Sequence, residues 1–357
     1  MKKLILCREF FPRAYFLEIG EYIASVQLES GAIPWYEGGI LDPWDHLEAA
    51  MGLSVAGFLG KARRALRWCA ENQLPDGSLW PAYADSRPMD LTRTEAHHSA
   101  YLATGLWHSY LSSGDADFVW YMWPALSQGL DFACNLQTEQ GEISWARLPG
   151  EQAYPDALLT GCSSIYKSLE CGLNIASLLG YKRSDWAEAR TSVGRAIRER
   201  PERFDRTWPS KQRYSMDWFY PVLSGVLAHG PAQRRLAQNW DLFVEPELGC
   251  RCVQEEPWIT VAESCELVLS LLRVGRFSKA TRVFSWLQQN RSAGGYWTGY
   301  QKEWDIYWPR ERPTWTAAAV LLAADALYEV TPAAGVFTGV SRKEGALEQG
   351  LNTDAAK

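Results

Sequence analysis

The chain lacks any apolar run of the roughly twenty residues that a membrane-spanning helix needs. Its first residues, Met1-Lys2-Lys3-Leu4-Ile5-Leu6-Cys7-Arg8-Glu9, join a basic end to an apolar stretch too short for a secretory signal. No small-residue cleavage site follows. A basic excess is also missing: 36 Lys and Arg stand against 42 Asp and Glu, a net charge of −6. That removes the electrostatic case for nucleic acid, whose binding needs a basic stripe. Paired cysteine motifs are absent too. The eight Cys (7, 69, 134, 162, 171, 250, 252 and 265) are scattered, and Cys250-Arg251-Cys252 is not a CxxC pair. The expectation is no metal, no cofactor, and reduced, buried thiols in a cytoplasmic protein.

What the chain has in excess is aromatic side chains: 18 Trp, 16 Tyr and 12 Phe in 357 residues. They can fill a core. They also suit a pocket that stacks on sugar rings or steadies a cationic carbon. A short unit recurs as well. It reads Gln27-Leu28-Glu29-Ser30-Gly31-Ala32-Ile33-Pro34-Trp35, then Gln73 to Gly77 and Trp80, Gln137 to Gly141 and Trp145, and Gln289 to Gly294 and Trp297. Each copy reads as a helix end, a Gly turn and a Trp that folds back, and each leads into a new helix. Asp42 before Pro43 is one such helix start, an acidic N-cap ahead of Pro at the first helical position. The Gln amide is expected to bond loop backbone while the indole packs on the helix end.

Helical periodicity covers most of the chain, near 12–28, 43–59, 61–73, 92–112, 115–137, 159–179, 184–199, 215–228, 232–240, 260–273, 276–290 and 313–329. Charged helices such as Lys61-Ala62-Arg63-Arg64-Ala65-Leu66-Arg67-Trp68 alternate with small-residue helices such as Ala317-Ala318-Ala319-Val320-Leu321-Leu322-Ala323-Ala324. The first kind belongs outside, the second in a close-packed inner layer. Tight turns are expected at Gly60, Gly114, Gly180, Gly230 and Gly275. Six hairpins of this kind would close into an all-α, (α/α)6 toroid over residues 1–335, with 336–357 as a disordered tail. No sheet of more than two or three short strands is expected; the runs near Ile143, Tyr296 and Val253 are candidates for small ladders.

The repeated QxxxGxxW-like units on helical hairpins resemble the α/α-toroid superfamily over about residues 10–330. That group includes six-hairpin glycosidases, terpenoid cyclases and protein prenyltransferases. The resemblance implies that the long loops lead to the N-termini of the inner helices, so that all six line one mouth. Helix dipoles there favour carboxylates, and the chain supplies them: Asp42, Asp45 and Glu48; Asp90 and Glu95; Asp156; Asp217; Glu263 and Glu266; Asp305 and Glu311. Asp42 reads as a cap, and Glu48 and Glu95 as acids serving the dipole. His97 and His98 diverge by about 100° on a helix, so one is expected packed and the other solvated.

Asp45, Asp217 and Glu263 stand beside Trp44, Trp218 and Trp258 in otherwise apolar helices, surroundings that raise a carboxyl pKa toward that of a general acid. Glu263 and Asp45 are the expected catalytic acid and base, with Asp217 in reserve. Trp44, Trp218, Trp258, Tyr220, Asp305, Glu311 and Arg312 are the expected substrate contacts. Trp315 is expected in the inner packing layer. Two carboxylates across a Trp-lined cleft suit glycosidic cleavage of a saccharide. An isoprenoid-handling cyclase or prenyltransferase is the alternative, but the acidic DxDD run and the Asp-x-Cys with a distant His are missing. A non-catalytic glycan- or lipid-binding toroid is the third reading.

Overall fold

The computed structural model describes residues 12–148, 150 and 153–339. Twelve main helices alternate between two layers. The outer ones are α1 (Arg13–Val26), α3 (Leu59–Glu71), α5 (Ala116–Asn135), α7 (Ser184–Glu199), α9 (His229–Gln238) and α12 (Phe277–Trp286). The inner ones are α2 (Pro43–Val55), α4 (Ala96–Ser113), α6 (Leu159–Leu178), α8 (Ser215–Leu223), α11 (Val261–Arg273) and α13 (Thr314–Tyr328), with a short α10 (Trp240–Phe243) between α9 and α11. Each inner helix packs on the next, and α13 returns to α2. The result is a closed (α/α)6 toroid. Composition sorts the layers. Outer α3 buries one stripe, Ala62, Ala65, Leu66, Trp68 and Cys69. Inner α13 is buried on nearly every side, which its run of alanines permits. No helix among the described residues is long and apolar enough to cross a membrane.

The recurring Gln unit fastens one hairpin to the next. Gln27 Nε2 donates to Gly31 O and to Lys61 O of α3, both at 3.0 Å. Gln73 repeats this with Gly77 O and Ala125 O of α5, and Gln137 with Gly141 O and Ala189 O of α7. The glycines are required. Gly31, Gly77 and Gly141 all have left-handed φ, and a Cβ on each would overlap the backbone of the neighbouring outer helix. The last unit closes the ring differently: Gly294 approaches the backbone of α1 at Glu18, and Gln289 bonds Glu247 O instead.

Several expectations need correction. The strands are more organised than expected: Val244–Glu245, Gly249–Arg251, Trp258–Thr260, Gly299–Gln301 and Ile306–Tyr307 form one five-stranded antiparallel sheet. Its strands are two or three residues long, so periodicity could not reveal them. Gly60 and Gly230 lie inside helices, and the turns fall instead at Gly57 and Gly225. The chain also stays packed past 336. Val336 and Phe337 are buried, and their carbonyls accept from Lys167 Nζ (3.1 Å) and Arg273 Nη1 (2.7 Å). The rest of the expected tail, 340–357, lies outside the described residues, as does Cys7.

Candidate active site

The mouth of the toroid holds a cavity of about 400 Å³. Its wall follows a rule set by the helix starts. Each inner helix contributes its second residue, its third, or both: Trp44 and Asp45, His97 and His98, Thr160 and Gly161, Met216 and Asp217, Ala262 and Glu263, and Trp315. Asp42 caps α2 by accepting the Asp45 N–H at 3.0 Å and the Trp35 indole N–H at 3.0 Å. One turn further along, Glu48 and Glu266 line the cavity floor, each three residues after a mouth acid. Loops add Leu158, Lys211, Tyr214 and Cys252.

The floor is crowded with carboxyl groups. Burial first, then the charges of Asp42, Glu48 and Glu266, push Asp45 well above the usual carboxylate range. Burial also raises Glu48 to about 7, against the opposing pull of hydrogen bonds from Trp44 Nε1 and Tyr101 Oη, both 3.2 Å. Glu266 is raised well above its ordinary value by burial and by Glu48 and Glu263. Burial takes Asp217 to about 6, with Arg235 acting the other way. One oxygen of Glu263, Oε2, is buried without a hydrogen-bond partner among the described residues. The site therefore gathers several carboxyl groups whose proton burial helps to hold, the state a general acid needs.

All three expected catalytic acids line this cavity, as does Trp44, which packs edge-on against His97 (5.0 Å) and Tyr220 (5.6 Å). The other expected contacts do not line it. Trp218 is core: it is buried, stacks on Phe243 and donates to Arg235 O at 2.7 Å. One residue past Asp217, it points about 100° away around the helix. Tyr220 lies beneath the floor, beside Tyr101 and Glu48 in a smaller cavity. Trp258 stands on the sheet, edge-on to Trp308. Asp305 sits on an exposed hairpin and accepts from Tyr300 Oη at 2.6 Å. Glu311 and Arg312 shape the approach to α13: Glu311 O accepts from Thr298 N, and Arg312 donates to Ser292 O.

Other readings change too. Glu48 is a buried floor residue rather than a dipole partner. Asp90 is held by Thr92 and Arg93 in an exposed loop. Trp315 lines the cavity, half-buried, with its indole nitrogen unpartnered among the described residues. His97 and His98 both face the cavity, as the second and third residues of α4, which starts directly after an extended Glu95. Their Nε2 atoms lie 3.3 and 3.7 Å from Glu95 Oε2. Burial works against the Glu95 charge, but His98, His97 and Arg93 together hold its carboxyl low. Burial, then His98, lowers His97 to about 3.

This Glu95–His97–His98 group is close enough to hold a metal ion. Its surroundings fit one poorly. Both Nδ1 atoms are buried without a partner among the described residues, so neither ring has the acceptor that orients a metal-bound histidine. Arg93 Nε, at 2.8 Å, already occupies Glu95.

A closed (α/α)6 ring with an acidic, Trp-lined mouth at its inner N-termini fits a carbohydrate-active enzyme of the glycoside hydrolase type, and the relatives of the chain are of that class. No protein-family model matches the chain. It is 45% identical over 329 residues to an "MMP endo-(1,4)-3-O-methyl-alpha-D-mannosidase" from Mycolicibacterium hassiacum, covering 92% of this chain and 90% of the relative. The chain belongs to the family of that mannosidase. Solved structures share the fold at low identity. A wild-type glycosidase aligns with TM-score 0.67 at 16% identity, over 88% of this chain and 97% of its own. The GH63 mannosylglycerate hydrolase from Thermus thermophilus, in complex with glucose, aligns at 0.67 and 12%, over 85% and 98%. The glycosidase reading therefore holds over the cyclase and binding-toroid alternatives.

Proposed function

We propose that this enzyme is an endo-acting α-mannosidase that cuts internal (1,4) bonds between 3-O-methylmannose residues. The observation that carries the reading is identity with the M. hassiacum enzyme along nearly the whole chain, in a protein whose mouth acids converge on one cavity. The cavity wall suits such a sugar. Leu158, Leu159, Met216 and Ala262 offer apolar surface for methyl ethers, while the acids and imidazoles of the same cavity offer partners for free hydroxyls.

In this reading Asp45 and Glu263 do the chemistry, with roles opposite to those expected from sequence. Asp45, kept neutral by burial and by its acidic neighbours, donates its proton to the leaving glycosidic oxygen. Glu263 lines the same cavity from α11, two helices around the ring, and takes the proton of the water that attacks the anomeric carbon as the glycosidic bond breaks. Trp44 lines the same cavity beside His97. The site of action is the cytoplasm, a placement supported by seven described cysteines that are all free; cell fractionation tests it.

The test of the reading is incubation with a ladder of α-(1,4)-linked 3-O-methylmannose oligosaccharides, from disaccharide to octasaccharide, with products sized by mass spectrometry. Internal fragments are expected from the longer members. Release of single sugars only, or no cleavage at all, overturns the proposal.

A further inference from the structure

Three large aromatic side chains are held rigidly beside the mouth without belonging to the core. Tyr154 and Trp208 stack with ring centroids 5.8 Å apart and planes at 22°. Trp145 stands edge-on to both, at 5.4 and 5.8 Å. All three are half-buried, and none packs against the main hydrophobic cluster. Core burial therefore does not account for them.

Two carboxylates fix the loop that carries Trp208. Asp156, one of the ring acids, does not line the central cavity and is fully buried. Its Oδ1 accepts the Ala157 N–H at 2.7 Å, and its Oδ2 accepts from Thr207 N (2.6 Å) and Thr207 Oγ1 (2.8 Å). Asp205, with a left-handed φ of 58°, works from the other side. Its carboxylate accepts from Trp208 Nε1 at 2.9 Å and from Lys211 N at 2.6 Å. The segment has little secondary structure of its own. What the two acids set is the position of one indole and of the backbone that carries Lys211. Lys211 Nζ lies 5.6 Å from the Trp208 ring and 5.8 Å from Tyr214. Lys211 and Tyr214 line the central cavity, so this aromatic shelf continues its wall. The Lys211 ammonium makes no hydrogen bond or ion pair among the described residues.

We propose that Trp208, stacked on Tyr154 and flanked by Lys211, forms a distal saccharide subsite that grips a sugar residue beyond those at the cleaved bond. A flat, fixed indole presents its face to the C–H surface of a pyranose, and an unpaired ammonium beside it donates to ring hydroxyls. Such a subsite gives an endo-acting enzyme its hold on a chain. The proposal rests on the glycosidase reading above and adds residues that reading does not use.

The experiment measures kcat/KM along the same oligosaccharide ladder for wild type, Trp208→Ala, Trp208→Phe and Lys211→Met. The expected result is a deficit that grows with chain length in Trp208→Ala, reaching about tenfold more for the longest member than for the shortest. Trp208→Phe should recover part of it, which a folding defect would not show. A deficit equal at every length, or none, overturns the subsite. If the wild type cleaves no member, the mannosidase reading fails instead. Calorimetric binding of the same oligosaccharides then decides: affinity lost on Trp208→Ala supports the subsite, and unchanged affinity or no wild-type binding contradicts it.

Discussion

Glu48 is a carboxyl group raised to about 7 beneath the catalytic mouth, with Trp44 and Tyr101 as its hydrogen-bond donors. Because its folded pKa exceeds its unfolded one, the native state holds the proton longer than the unfolded chain. Its contribution to stability is therefore lost as pH rises from about 4.5 to about 7. Glu48→Gln keeps the acceptor oxygen and removes the charge. Its melting temperature should exceed that of wild type above about pH 7 and match it near the unfolded pKa; a melt lower than wild type at high pH would contradict this. Trp315→Ala is a second test. As inner-layer core it would have cost about 3–5 kcal/mol. As a half-buried cavity wall it should cost less than that and raise KM, read by a thermal melt beside steady-state kinetics. The acids of the site could be read in the sequence because a carboxylate at an apolar helix start is conspicuous. Glu48 and Glu266 stand among the acids expected at the mouth, and their i, i+3 spacing from Asp45 and Glu263 is the signal that they lie one turn further along the same helix faces. Trp218 and Trp44 could not be told apart, because adjacency to an acid does not say which way a ring turns. Trp208 and Lys211 were out of reach, since irregular loops carry no periodicity.

The Gln–Gly–Trp unit was the strongest fold signal in the chain, and the hairpin junctions explain why. In three copies one amide satisfies two carbonyls on two different elements, and the glycine lets the loop lie on the neighbouring helix. Gly77→Ala combines a left-handed φ with overlap onto the Gln128 carbonyl, and should destabilise by about 1–3 kcal/mol. Gln73→Ala removes the amide that donates to both the Gly77 and Ala125 carbonyls and should cost a similar amount. Chemical denaturation reads both, and a change within about 0.5 kcal/mol would mean the unit is not a fastener. The five-stranded sheet left no comparable trace. Its strands come from two loops more than thirty residues apart in the chain, and pairing over that separation is not a local property.

The whole molecule is a ring closed at its ends. Thr314 N donates to Trp35 O at 2.7 Å and Thr314 Oγ1 to Pro34 O at 2.8 Å, which ties the last hairpin to the first. The C-terminal segment then seals the underside. Phe337 reaches the small cavity below Glu48 and Glu266, and buried Lys167 holds Val336 O. Truncation after Val330 would expose that floor and deprive Lys167 of an acceptor, so the melting temperature should fall by several degrees. An unchanged melt would show that the segment is not part of the fold.

We propose that the toroid positions Asp45 and Glu263 for glycosidic cleavage. Turnover of the oligosaccharide ladder by Asp45→Asn and Glu263→Gln, with melting temperatures recorded alongside, tests it most directly. At least a roughly hundredfold loss of kcat is expected in each, with melting temperatures no lower than that of wild type, because neither side chain holds the helices together and Asp45→Asn removes a carboxyl group that burial disfavours in its charged form. Full activity in both variants would contradict it and leave Asp217 as the remaining candidate.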